Sequence, residues 1–176
     1  IPPWAMAAAL ALLTFAVFAP SLRNGYVDFD DPTYVFENPR VQQGLTAENV
    51  RWAFTTGYFS NWHPLTWLSY MLDYELFGLA PWGYHLVNVL LHAANAGLLV
   101  LALTRLTGAP LLALAAAAFF ALHPLRVESV AWISERKDVL SGLFGILCLH
   151  AYAGYAKAPS PSRYALVAMW LVLGLM

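Results

Sequence analysis

Apolar stretches of near-uniform length alternate with two polar segments along this chain, and that alternation predicts its architecture. A run free of charge extends from Trp4 to Ala19 and is closed by Pro20. A bilayer-spanning helix needs about 20 mostly apolar residues. The pattern predicts spans over about 3–20, 84–106, 107–125, 139–156 and 164–176, with a loop over 21–83. This is an all-α polytopic transmembrane helix bundle of four to five spans. A cleavable leader would want a small-residue exit site, whereas Ala19-Pro20-Ser21 runs straight into the loop, so an uncleaved first helix is expected. The start at Ile1 and the apolar run still open at Met176 read as a piece of a longer protein.

The long loop carries its own helical signals. Thr46-Ala-Glu48-Asn-Val has an N-cap residue and an acid in the first turn. After Pro64, leucines 65, 68, 72, 76 and 79 recur at three- and four-residue spacing, flanked by Trp67, Tyr70 and Tyr74. That pattern predicts an amphipathic helix lying in the membrane interface, or a lid packed on the bundle.

Composition agrees with a bilayer: 60% of the 176 residues are hydrophobic and 11% charged, against roughly 25% charged in an average soluble domain. The net charge of −1 offers no basic excess for nucleic acid. Cys148 is the single cysteine, so no disulfide framework exists. With four spans, loop 21–83 and segment 123–138 share one face. All ten acids fall there, together with six of the nine Arg and Lys residues. The opposite loops hold Arg105, Lys157 and Arg163 and no acid. Basic short loops point to the cytoplasm, which turns the acidic face outward.

Three constellations are candidates for chemistry. Asp28-Phe29-Asp30-Asp31-Pro32 places adjacent carboxylates at a membrane surface, as a general base, a divalent-metal ligand pair or simply a turn. An EF-hand is excluded, because Thr33 stands where the loop glycine belongs. The second is the segment from His123 to Asp138. As one helix it would present Glu128, Trp132 and Glu135 together, with Asp138 to one side and Arg126, Arg136 and Lys137 elsewhere on its surface. It would bind a phosphate through its cations, or anchor itself by mutual ion pairs. The third is the stripe His85, Asn88, His92 and Asn95, either interhelical hydrogen bonding or a cavity lining. His63, before Pro64, faces the acidic loop or is a structural histidine. No acid lies inside a predicted span, which speaks against an ion-coupled transporter.

Several of these strings resemble one family in order along the chain. They are Asp28-Phe-Asp-Asp-Pro-Thr-Tyr-Val, Asn61-Trp-His-Pro-Leu-Thr-Trp-Leu-Ser69, His85-Leu-Val-Asn-Val-Leu-Leu-His92 and Leu122-His-Pro-Leu-Arg-Val-Glu-Ser-Val-Ala-Trp-Ile-Ser-Glu-Arg-Lys-Asp-Val-Leu-Ser141. Together they are similar to the transmembrane and tetratricopeptide-repeat proteins, which include the TMTC group of animals. Arg126 departs from the pattern, standing where many relatives have a histidine. The resemblance implies a type C glycosyltransferase that takes sugar from a polyprenyl-phosphate donor on the lumenal or periplasmic side. It also implies protein O-mannosylation for animal members, and further helices and tetratricopeptide repeats beyond this stretch.

The sequence therefore predicts a glycosyltransferase moving a sugar to a hydroxyl, such as a protein Ser or Thr, by single displacement with inversion. Asp30, Asp31 and Glu128 are the expected catalytic residues, and Arg126, Arg136 and Lys137 the donor-phosphate ligands. His63, Glu135, Asp138, His85 and His92 support them, and Asp31 with Glu128 is the expected site for any divalent metal ion. The expected setting is a bacterial inner membrane with periplasmic acidic loops, or the endoplasmic reticulum membrane with lumenal ones. This stretch alone is expected to be inactive. The competing reading is a non-catalytic scaffold or polyprenyl-lipid-binding module.

Overall fold

A computed structural model describes residues 1–176. Every regular element is helical. The nine α-helices are α1 (Pro3–Phe18), α2 (Pro39–Gln42), α3 (Ala47–Thr55), α4 (Pro64–Phe77), α5 (Pro81–Thr107), α6 (Pro110–Leu122), α7 (Arg126–Ala131), α8 (Arg136–Lys157) and α9 (Pro161–Gly174). Proline opens α1, α2, α4, α5, α6 and α9, where its missing N–H costs nothing and its fixed φ suits a first turn. The predicted cap is present: the Thr46 hydroxyl accepts from Asn49 N–H at 3.1 Å. Gly108 ends α5 with φ of +71°, a left-handed stop that suits glycine.

Three helical stretches are long and apolar enough to cross a membrane: Pro3–Arg23, Pro81–Thr107 and Ile133–Lys157. The predicted spans at 107–125 and 164–176 form shorter helices, α6 of 13 residues and α9 of 14.

α5 is the central post, packing against α1, α6 and α8. Its Gly97 lets α1 approach closely: a Cβ there would lie 3.1 Å from the Ala7 carbonyl oxygen. Met6, Ala7, Leu10, Ala96, Val100, Ala117 and Ala121 fill the seam among α1, α5 and α6. Large outward side chains such as Leu12, Leu111, Leu112 and Phe119 are exposed, as a lipid-facing surface requires.

His92 marks a level in this post. Phe18, at the end of α1, packs edge-on to its ring at 5.2 Å, and its Nε2 lies 2.9 Å from the carbonyl of Ala121, near the end of α6. Residues 81–91 of α5, about 16 Å of helix at 1.5 Å per residue, continue past this level toward the long loop. Around this projecting stem the long loop builds a second core of Tyr34, Val35, Val41, Ala53, Trp67, Tyr70, Met71, Tyr84 and Ile133.

Helix α4 exists as predicted but presents a different face inward. Trp67, Tyr70 and Met71 are buried, while Leu72, Leu76 and Leu79 are exposed. The aromatic side packs on the loop core, so the outer leucines are the side available to a bilayer. The second polar segment is not the single helix expected. α7 ends at Ala131, Trp132 is extended (φ −95°, ψ 125°), and a 3₁₀ turn covers Ile133–Glu135 before α8. Side chains from elsewhere hold this break. Asn88 donates to the Trp132 carbonyl at 3.1 Å and Tyr70 to that of Ile133 at 2.8 Å. Asp31 accepts from the Ser134 N–H at 3.1 Å.

Candidate functional site where two loops meet

Asp31 is fully buried, and each of its carboxylate oxygens accepts from a different chain segment. One carboxylate oxygen accepts from Val27 N–H at 2.7 Å. The other accepts from Ser134 twice, through the backbone N–H at 3.1 Å and through the hydroxyl. A buried carboxylate is stable only when so paired. This junction ties the first acidic string to the second across more than 100 residues of sequence and puts them side by side.

Beneath the junction lies a buried ion pair. Arg136 is fully enclosed and contacts Asp73 at 2.6 Å. Its other donors go to the Asn88 side chain, the Tyr84 carbonyl at 2.8 Å and the Ser69 hydroxyl at 3.4 Å. Its guanidinium lies 5.1 Å from the Tyr70 ring centre. Burial pushes the Asp73 carboxyl up to about 6, and the nearby Arg136 charge opposes that rise. Arg136 thus joins α4, α5 and α8, and it reaches no open space in which to meet a phosphate.

What faces outward is a different set. Asp30 is half-buried and its carboxylate takes no hydrogen bond or ion pair from the protein. It bears on Tyr34, whose phenol is pushed up to about 12 by burial first and by Asp30 second. The Tyr34 hydroxyl accepts from Asn61 at 3.0 Å, and its ring stacks on Trp67 with centres 5.1 Å apart. Lys137 lies 5.9 Å from the centre of the same ring and pairs with Glu135 at 2.7 Å. His63 completes the cluster, 4.8 Å from Trp67 and 5.5 Å from Tyr34 by ring centres. Its imidazole is pushed down to about 4, by burial first and by the Lys137 charge second, and its buried Nε2 has no partner.

Two cavities open beside this cluster. One, of about 190 Å³, is lined by Trp62, His63, Thr66, Lys137, Asp138 and Ser141. The other, of about 300 Å³, is lined by His92, Asn95, Arg126, Ser129, Asp138 and Ser141. Asp138 and Ser141 form the wall between them, and the Ser129 hydroxyl donates to Asp138 at 2.9 Å. Arg126 has no acidic partner and sits 4.3 Å from the Phe120 ring centre. The buried Asn95 Oδ1 in the larger cavity accepts nothing.

The expected site is therefore divided. Asp30, Glu135, Lys137 and His63 come together, and Arg126 and Asp138 line the adjoining cavity. Glu128 is exposed on α7, and the extended Trp132 removes the helix face it was expected to share with Glu135. Asp31 and Glu128 do not fit a resident divalent ion: Asp31 is buried with both oxygens bonded to protein donors, and no group of three or more metal-ligating side chains forms. On the stripe, each polar residue reaches a carbonyl of a different segment. His85 reaches Gly25 at 3.4 Å, Asn88 Trp132, His92 Ala121 and Asn95 Val139 at 2.8 Å. Interhelical hydrogen bonding is what they do, and His92 and Asn95 line the larger cavity as well.

Sequence reasoning missed Asp73, Ser134 and Tyr34. Asp73 carried a usable signal, since it follows Thr66 by two helical turns and so shares its buried face.

Comparison with known proteins then decides the lineage. Protein O-mannosyl-transferase Tmtc2 of Drosophila melanogaster is 32% identical over 170 residues, 92% of this chain. The chain is homologous to the TMTC protein O-mannosyltransferases over most of its length. TMTC4 of Homo sapiens is 31% identical over 180 residues, 90% of the chain. Tmtc2 of Xenopus laevis is 45% identical over 97 residues, 55% of the chain. The chain spans only 12% to 24% of the length of these three TMTC relatives. No family model and no solved structure matches it.

Proposed function

We propose that the two joined loops form part of the reaction surface of a membrane glycosyltransferase. It would move a sugar from a polyprenyl-phosphate carrier to a hydroxyl such as that of a protein Ser or Thr. The sugar is mannose if the chain shares the activity for which its TMTC relatives are named. The observation that carries this reading is the Asp31–Ser134 junction, with the unpaired Asp30 acting on the same Tyr34 that Lys137, Glu135 and His63 surround.

In this reading Asp30 is the base. Its carboxylate takes the acceptor hydroxyl proton as the oxygen bonds to the anomeric carbon. The bond from that carbon to the phosphate oxygen breaks, and the lipid phosphate leaves with the electron pair. Lys137 and Arg126, the cations that line open space, stabilise that charge. Asp31, Arg136 and Asp73 position these groups without touching substrate. In this reading the segments around α6 and α9 cross the bilayer as well, which gives five crossings with the acidic loops on the non-cytoplasmic side. The exposed leucines of α4 then rest in the interface beside the carrier's tail.

The test is sugar transfer by the full-length protein in native-like membranes. Asp30→Asn is expected to cut turnover by about 10²–10⁴ while thermal stability stays unchanged. Arg126→Gln and Lys137→Gln lower kcat more than they raise the donor KM, because the charge they stabilise develops as the phosphate leaves. A non-catalytic scaffold would also bury Asp31 and Arg136 as seen here, and absence of transfer by the wild-type protein would favour it, whereas wild-type-like transfer by Asp30→Asn would remove Asp30 as the base.

A further inference from the structure

The end of the bundle away from the acidic loops holds a basic cavity that the proposed chemistry does not use. It measures about 190 Å³ and lies among α5, α8 and α9, with Arg105, His150, Arg163, Leu147, Leu166 and Trp170 in its lining. No carboxylate of these 176 residues balances it: there is no Asp or Glu between Glu75 and Glu128 or from Val139 to Met176. Arg105 has one protein partner, the His150 ring nitrogen Nε2 at 2.9 Å. A guanidinium only donates, so Nε2 accepts and the proton of His150 resides on Nδ1. That N–H is buried and has no partner.

The backbone makes room for this arrangement. Gly154 sits beneath the Arg105 guanidinium, where a Cβ would come within 2.6 Å of its terminal nitrogen. Arg163 reaches the α8 C-terminus, donating to the Ala158 carbonyl at 2.7 Å and to Gly154 at 3.2 Å, so its charge is fixed at the rim. Two cations and one orphan donor converge with no anion among them. The remaining walls are apolar.

We infer that this cavity is a binding site for the phosphate headgroup of an anionic phospholipid in the leaflet opposite the acidic loops, with Arg105 and His150 as its ligands and Arg163 at its rim. The charged end fits the phosphate, since arginine binds phosphate through paired donors. Leu147, Leu166 and Trp170 provide the apolar side along which an acyl chain lies. Basic pockets between membrane helices are suited to such headgroups. A dissolved phosphate would satisfy the same donors but leave the apolar wall uncovered, so lipid is the favoured source.

The experiment uses the full-length protein in nanodiscs of phosphatidylcholine with and without phosphatidylglycerol, and measures phosphatidylglycerol retained per protein after transfer to detergent. Wild type is expected to retain it. Arg105→Gln lowers retention roughly five- to tenfold. Gly154→Ala lowers it as well, by displacing the guanidinium while keeping its charge. Lys157→Gln, on the same end but outside the cavity, retains it like wild type. Unfolding temperatures in phosphatidylcholine alone verify that each variant folds. The inference is overturned if Arg105→Gln retains as much lipid as wild type, if Lys157→Gln loses as much as Arg105→Gln, or if inorganic phosphate displaces the lipid at equal concentration.

Discussion

Replacing Asp31 by Asn keeps the shape of the junction and removes its charge and one acceptor. With the amide oxygen toward Ser134, the amide N–H₂ faces the Val27 N–H, which now bonds at 2.7 Å, so two donors oppose each other. With the amide flipped, the Ser134 N–H, now bonded at 3.1 Å, loses its acceptor inside the core. Either way one backbone donor is orphaned, at about 1–3 kcal/mol, and the surviving contacts lose their charge assistance. The sum is about 2–4 kcal/mol of lost stability. Because Ser134 lies in the turn that interrupts α7 and α8, the loss should open residues 130–136 first. Chemical unfolding in detergent micelles, with hydrogen exchange over that stretch, would measure both effects. Asp31→Asn with unchanged stability and protection, but with transfer abolished, would refute the assignment of Asp31 to structure and make it a reacting group.

Three more outcomes follow from the same geometry. Asp73→Asn leaves Arg136 as an uncompensated buried charge and should cost about 3–5 kcal/mol in the same unfolding assay, whereas Asp73→Leu with Arg136→Met should recover most of that loss. His63 has its folded-state pKa depressed to about 4, below the unfolded value of about 6.5. Its contribution to stability is present above pH 6.5 and is lost as pH falls through about 4; His63→Phe should flatten this part of a melting-temperature profile. Gly97→Leu should loosen α1 from α5, because even a Cβ comes within 3.1 Å of Ala7 O; a loss of about 1–3 kcal/mol, typical of overpacking, would appear in unfolding.

The apolar helices were legible from the sequence because hydrophobic length reports directly on a bilayer. α1 falls close to its expected bounds, and α5 and α8 each begin three residues earlier, at Pro81 and Arg136. Thr46 and Pro64 also marked true helix starts. Periodicity failed where tertiary partners outbid the backbone. The segment 123–138 reads as one helix, yet Asn88, Tyr70 and Asp31 take the groups at 132–134 that a helix would pair internally. The leucine repeat located α4 but not its inner face, since the aromatic residues beside it had an aromatic-rich core to join. Within the site, sequence could name Asp30, Asp31, Arg136 and Lys137 without dividing them. Burial separates them: Asp31 and Arg136 are sealed, while Asp30 and Lys137 are reachable.

The central claim is that the joined loops receive the sugar donor. It is tested most directly by irradiating the full-length protein with a polyprenyl-phosphate sugar that carries a photoreactive group on the sugar, then mapping the labelled residues. The account predicts adducts within 28–34, 61–66 and 126–141, suppressed by excess unlabelled donor. Suppressible labelling confined to the opposite end of the bundle, around 105–109 and 157–163, would contradict it.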